Sequence, residues 1–223
     1  MTGEQRISLI AASQSRRVTA VDLVRESLRA AILRGDLPGG TQLVQTEIAS
    51  QLDVSTTPVR EAMRDLASEG LITLDSHRIG TVRRPDWDEM SEIVEIRRAL
   101  ERVALQRAMD NITETQLAQA RDLADQLAGN VDLGTWVQRN IDFHSVFHWA
   151  TSTGRLANFL VSLEGAGGVF VAQAQRLHPD IRDRAISDHY SLLQAFEKSD
   201  VDAAVAIQYD HVNLPLEAAK IED

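Results

Sequence analysis

Cysteine is absent from the 223 residues, which excludes a disulfide framework and any thiolate metal site. The stretch ISLIAA near the N-terminus is too short to span a bilayer and lacks a signal-peptide cleavage pattern. Together these absences lead to the expectation of a cytoplasmic protein with no membrane partner, with residues 1–17 as a flexible tail. Positive charge is also scarce, with 23 Lys+Arg against 33 Asp+Glu and a formal net charge of −10. That balance argues against nucleic acid as a partner until the chain is split at Arg84. Residues 1–84 hold 11 basic against 10 acidic side chains, and the remainder holds 12 against 23. The acidity therefore belongs to the second part of the chain.

What is present is most informative from Leu43 to Val82, LVQTEIASQLDVSTTPVREAMRDLASEGLITLDSHRIGTV. Ile48, Ala49 and Leu52 lie at helical spacing, Asp53-Val54 breaks the pattern, and Ser55, Thr56 and Thr57 offer hydroxyls to cap a second helix. Pro58 suits the first turn of that helix, where its missing N–H costs nothing. Val59, Ala62, Met63 and Leu66 form its apolar stripe, and Gly70 ends it. The opposite face carries Arg60 and Arg64, while Thr56 and Thr57 at the entrance can take phosphate oxygens. A helix of this kind meets a major groove as a recognition helix. The following LITLDSHRIGTVRR alternates like a short hairpin, with Arg78, Arg83 and Arg84 on or beside its arm, and reads as a wing. The bland alternative is a small core of helices and hairpin with a few solvated arginines.

An earlier helix should run from Thr19, as N-cap, to Gly35 and pack behind the other two. Residues 18–84 then form a winged helix-turn-helix unit, and residues 85–223 a second domain. In that domain Asp86 with Glu89 resembles a capping box opening a helix to about Met109. Thr113 with Gln116, and then Asp132, give further helix starts. Gly154 interrupts the pattern, Gly165, Gly167 and Gly168 fall in a helical apolar run, and His178-Pro179-Asp180 is a loop. Nothing beyond residue 85 alternates like a strand, so the expected fold is mainly α, ending in an all-helical bundle of about six helices.

Five of the six histidines lie in this bundle. Asn140 and His144 are one turn apart on one helix face. His189 and His211 flank a break near Lys198-Ser199-Asp200, and at roughly 1.5 Å per residue an antiparallel pair holds them within about 3 Å of the same height. Three neutral imidazoles and an amide oxygen suit one divalent ion, Zn²⁺ first and Ni²⁺ or Mn²⁺ as alternatives. Such a site keeps the ion's double positive charge and attracts an anion, most simply a carboxylate. The alternative reading is that these are hydrogen-bonded core histidines, and His148, one turn after His144, is a rival ligand. Asp142 points away from the face of His144.

Taken together the residues closely resemble the GntR superfamily of bacterial regulators, in the FadR-like branch with an FCD effector-binding domain. The likeness rests on ILRGDLPGGTQL, VSTTPVREAM with LASEGLI and the wing. It rests further on IRRALE from Ile96, NIDFH from Asn140, DHYSLLQAFEKSD around His189, and His211. The resemblance implies a homodimer on a palindromic double-stranded operator, whose grip changes when a small carboxylate enters the C-terminal bundle. It implies Asn140, His144, His189 and His211 as metal ligands and Arg97 as the residue that helps hold the carboxylate.

Three departures stand out. Thr56 replaces a common Arg and cannot make a bidentate contact to guanine. Asn140 stands where Asp is frequent, and Ile79-Gly80 shifts the usual wing glycine by one position. Two other readings compete: a metal sensor, or a structural ion, without an organic effector, and a metal-dependent enzyme. The enzyme would need a base among Asp142, Asp188 and Glu101.

Overall fold

A computed structural model describes residues 19–75, 79–84, 86–151 and 154–219. The expected tail, and Arg78 in the wing, lie outside the described residues. The first helix, α1 (Ala20–Arg34), opens with a capping box between Thr19 and Asp22 and closes at Gly35, whose φ of 86° is left-handed. Both ends fall where the caps placed them.

A two-residue strand β1 (Gln42–Leu43) precedes α2 (Gln45–Gln51) and α3 (Thr56–Ser68). The tight break between these helices is real, with Asp53 at a φ of 51°. Ser55 is the N-cap residue of α3, but its hydroxyl makes no capping bond, contrary to the expected role. That leaves the hydroxyl facing solvent. Val59, Met63 and Leu66 are fully buried beneath α3, each contributing roughly 1.5–3 kcal/mol of transfer energy.

Strands β2 (Ile72–Leu74) and β3 (Gly80–Val82) form the wing, and β1 joins them in an antiparallel sheet of order β1-β3-β2. The pairing of β1 was not visible in the sequence. Gly80 belongs to the strand rather than the wing tip: a Cβ there would stand 2.4 Å from Met63 Cε. The absent side chain lets the sheet close onto α3.

Beyond residue 85 the described residues contain only helices. They are α4 (Trp87–Asn111), α5 (Glu114–Ala128), α6 (Leu133–Thr151), α7 (Arg155–Leu177), α8 (Ile181–Glu197), α9 (Val201–His211) and the short α10 (Leu214–Ala219). These are seven elements where about six were expected, the addition being the short α10. Thr113 and Gln116 make the anticipated capping box of α5. The box proposed for Asp86 and Glu89 does not form. Asp86 accepts from Asp88 N, while Glu89 turns away to bind Arg83 at 2.6 and 3.0 Å. A full charge pair outcompetes a cap bond to one amide. Arg83 is thereby drawn off the wing arm to the junction between the two halves, where it also donates to Gly70 O.

The halves share one continuous apolar core. Gly134 of α6 lies so close to α1 that a Cβ would stand 3.2 Å from Ala30 O. From α7, Arg176 donates to Leu33 O near the end of α1. Helix α7 is long and apolar enough to cross a membrane by length and composition. Its Glu164, however, is buried in an ion pair with Arg97 of α4, which marks α7 as a core helix of the bundle.

Candidate metal centre and DNA-reading face

Helix α6 supplies His144, α8 supplies His189, and the end of α9 supplies His211. The three rings are 2%, 1% and 8% exposed, and their ligating atoms all lie within 4.8 Å of one another. Nε2 of His144 and of His211 are 3.0 Å apart. An ion bound at about 2.0–2.1 Å to each nitrogen in tetrahedral geometry sets such atoms about 3.3 Å apart, so small ring movements suffice.

Both nitrogens of His189 are buried without a hydrogen-bond partner, and so is Asn140 Oδ1. A hydrogen-bonded core histidine satisfies its ring nitrogens, and His189 does not, so the bland reading fails for it. His211 is oriented from behind, since its Nδ1 donates to Asp188 Oδ2 at 3.2 Å and Nε2 faces the other rings. That arrangement is the usual outer support of a metal-bound imidazole. Burial, and then the neighbouring His211, push His189 well below the ordinary imidazole value. His144 is pushed the same way, by burial and then by His211 and His189. Both rings are therefore neutral and keep lone pairs for a cation. The donor set fits a divalent ion.

The other candidates separate clearly. His148 turns away, with Nε2 3.8 Å from Glu101 Oε1, and is not part of the cluster. Asp142 is exposed on the opposite face of α6 and accepts from Gln138. Of the acids considered as an enzymic base, Asp188 is spent on His211 and Glu101 on Arg97.

Arg97 and Asn140 line one pocket with Glu164, Gly167 and His211. Arg97 is not waiting empty for an anion. Its Nε and Nη2 donate to Glu101 Oε1 at 3.2 and 3.1 Å, and Nη2 also lies 2.8 Å from Glu164 Oε2. Burial alone would push the Glu101 carboxyl up, but the His148 and Arg97 contacts outweigh it and bring the pKa down to about 2. Glu101 is thus an anion. Glu164 was missed in the sequence, although a lone acid inside the apolar run LANFLVSLEGAGGVFV is a signal that something buried must pair with it.

On the other half, Ser55, Thr56, Thr57 and Arg64 are exposed along the entrance and outer face of α3, and Arg60 is half-buried. Among the described residues neither Arg60 nor Arg64 has an ion-pair partner, whereas Arg25 and Arg29 of α1 are both paired. Two guanidiniums and three hydroxyls are therefore presented on one helix.

A three-helix head with a β wing, carried on an all-helical bundle, is the architecture of DNA-binding transcription regulators. Residues 21–82 match the bacterial regulatory proteins of the gntR family, and residues 92–214 match the FCD domain. The chain is 30% identical over 199 residues to the "Probable D-xylose utilization operon transcriptional repressor" of Paenarthrobacter nicotinovorans, covering 88% of this chain and 87% of that protein. It is 27% identical to the "Gluconate operon transcriptional repressor" of Bacillus subtilis over 94% of this chain and 87% of that one. Among solved structures, E. coli McbR/YncC superposes with a TM-score of 0.75 at 22% identity, covering 93% of this chain and all of the other. The chain belongs to the GntR family of transcription regulators, in the group that carries an FCD domain. It is a DNA-binding regulator and not an enzyme, as its relatives are.

Proposed function

We propose that a small carboxylate, bound at a divalent ion in the helical domain, controls the grip of this regulator on its operator. The observation that carries the reading is the buried trio His144, His189 and His211, with His189 and Asn140 left unpartnered beside a pocket that Arg97 lines. Asn140, His144, His189 and His211 would hold the ion, with Zn²⁺ the best match to the imidazole set and Ni²⁺ or Mn²⁺ possible where water fills further positions. When bound, the ion supplies a positive centre for a carboxylate. Arg97 and the ring-lined wall orient the acid, and the buried surroundings exclude competing water.

Coupling to DNA has a short physical route. Helix α6 carries Asn140 and His144 on one side and meets α1 at Gly134 on the other. Helix α7 lines the pocket with Gln175, and the next residue, Arg176, holds the end of α1. A ligand that shifts either helix moves the DNA-binding head with it. The effect is limited to the ligand's difference in affinity for the two arrangements, typically about 1–3 kcal/mol.

In this reading the protein is a cytoplasmic homodimer of the FadR-like branch. It places two α3 helices in successive major grooves of a palindromic operator, with Ser55, Thr56, Thr57, Arg60 and Arg64, and Arg78 of the wing, facing DNA. A near-neutral head gains its affinity from binding two half-sites at once. The names of the relatives favour repression of a catabolic operon. The test is to titrate small acids into metal-loaded protein on labelled operator, following release, with Gly167→Leu as control. A Cβ at Gly167 meets nothing within 4 Å, so a larger side chain has room to start into the pocket, and metal content measured on the variant checks that the histidines are kept. Release by an acid in wild type and none in Gly167→Leu supports the reading. Operator affinity indifferent to every acid that binds refutes it.

A further inference from the structure

The chemical class of the effector is constrained by a feature of the pocket separate from its metal ligands, and the inference rests on the effector reading above. Arg97 of α4 is bracketed by two buried carboxylates, Glu101 one turn along its own helix and Glu164 from α7, with side chains 1% and 4% exposed. Two anions around one guanidinium leave a surplus negative charge beside the site. Asn140, His144, His189 and His211 are all neutral, so a bound ion keeps its double positive charge. Glu101 and Glu164 outnumber Arg97, and Asp188 stands as a further acid 3.2 Å behind His211, so the protein itself leaves no spare counter-charge for a ligand. The ion draws one carboxylate of the ligand. A second would remain uncompensated in a buried pocket, where unpaired charge is costly.

Glu164 adds a second constraint. Its Oε2 pairs with Arg97 Nη2 at 2.8 Å, while the guanidinium gives its hydrogen bonds to Glu101, so Glu164 keeps lone pairs for a further donor. It lines the same pocket as Arg97, Asn140 and His211, one turn from Gly167, whose missing side chain leaves open space. Gln175 is eleven residues further along α7, about 16 Å by helix rise, and lies at the other end of the pocket. A buried carboxylate that shares its cation with another acid favours a ligand that brings a donor and penalises one that brings another anionic acceptor.

We infer that the effector is a monoanionic acid carrying a hydroxyl or amine donor at the end remote from its carboxylate, and that Glu164 is the residue that selects it. The carboxylate goes to the ion and the donor to Glu164. Dicarboxylates are rejected by the same residue. Arg97, held by its two partners, orients the bound acid without supplying the whole of its counter-charge.

The test uses three acids that differ only at one end: propionate, 3-hydroxypropionate and malonate. Each is titrated calorimetrically into full-length, metal-loaded protein, wild type and Glu164→Gln. In wild type 3-hydroxypropionate binds best and malonate at least about tenfold more weakly, the scale of one unfavourable charge contact. In Glu164→Gln the penalty on malonate is lost and the order of those two acids reverses. Malonate as the tightest wild-type ligand, or an unchanged order in a Glu164→Gln protein that still binds propionate, overturns the inference and leaves the effector reading standing. If none of the three acids binds metal-loaded protein, the inference is overturned, and the operator-release titration decides the effector reading separately. The wild-type order decides the matter by itself if the variant does not fold.

Discussion

The two halves of this chain carry their chemistry in opposite ways. The proposed DNA-reading face lies on one short helix, α3, with Ser55, Thr56, Thr57 and Arg64 exposed to solvent and their spacing set by ten residues of sequence. The candidate metal centre is buried and draws on three helices, with His144 and His211 67 positions apart. An exposed local site is built by helix geometry alone, so its parts can be changed one at a time. A buried assembled site exists only when the bundle has folded, and each of its groups is held by the burial of the others. Charge follows the same division, since the head is near neutral and the bundle holds all of the excess acid. The head binds a polyanion, and the bundle uses its acids internally, as at Arg97.

The largest effect that would sharpen this contrast is expected for His189→Ala. Metal content measured on the purified protein should fall by more than the roughly 10–100-fold typical of losing an outer-sphere partner. Operator binding by the head should survive. Normal metal occupancy would break the comparison and return attention to His148. Next in size is Arg60→Ala, which should weaken operator binding about 10- to 100-fold, the scale of one base-reading contact, with helical content and metal content unchanged. Unchanged affinity at physiological salt would remove Arg60 from the reading face.

A smaller change is expected of Asp188→Asn, which keeps the shape but weakens the support behind His211. Metal affinity should drop about tenfold with no effect on DNA. Equal affinities in a competition with a chelator would show that Asp188 does not orient the ring. The smallest is a pH effect. Glu101 has a folded pKa of about 2, depressed from an ordinary value of 4.5. Its contribution to stability is therefore complete above pH 4.5 and is lost as pH falls towards 2. Glu101→Gln should flatten the acid limb of the unfolding midpoint in that window. An unaltered limb would mean that Glu101 keeps no charge advantage in the fold.

Much of this was legible beforehand where the controlling contacts are local. The ends of α1 follow from Thr19 and Gly35, the start of α5 from Thr113 and Gln116, and the turn between α8 and α9 from a break where Ser199 takes a φ of 54°. The convergence of His189 and His211 was also readable, because equal distances from a turn put two side chains at one height. Illegible were the contacts between remote segments that compete with local ones. Glu89 prefers Arg83 to a cap, and β1 is too short to show alternation. Arg176 reaches Leu33 across 143 positions.

By itself, then, the order of residues determined the helices, the caps of α1 and α5, the exposed polar face of α3 and the equal heights of His189 and His211, because each depends on neighbours within a few turns. Only the tertiary structure decided that Arg97 is already claimed by Glu101 and Glu164, and that α6 and α7 bear directly on α1. Those facts depend on which helices pack together and on the cost of leaving a buried charge unpaired, and neither is written in any single stretch of the chain.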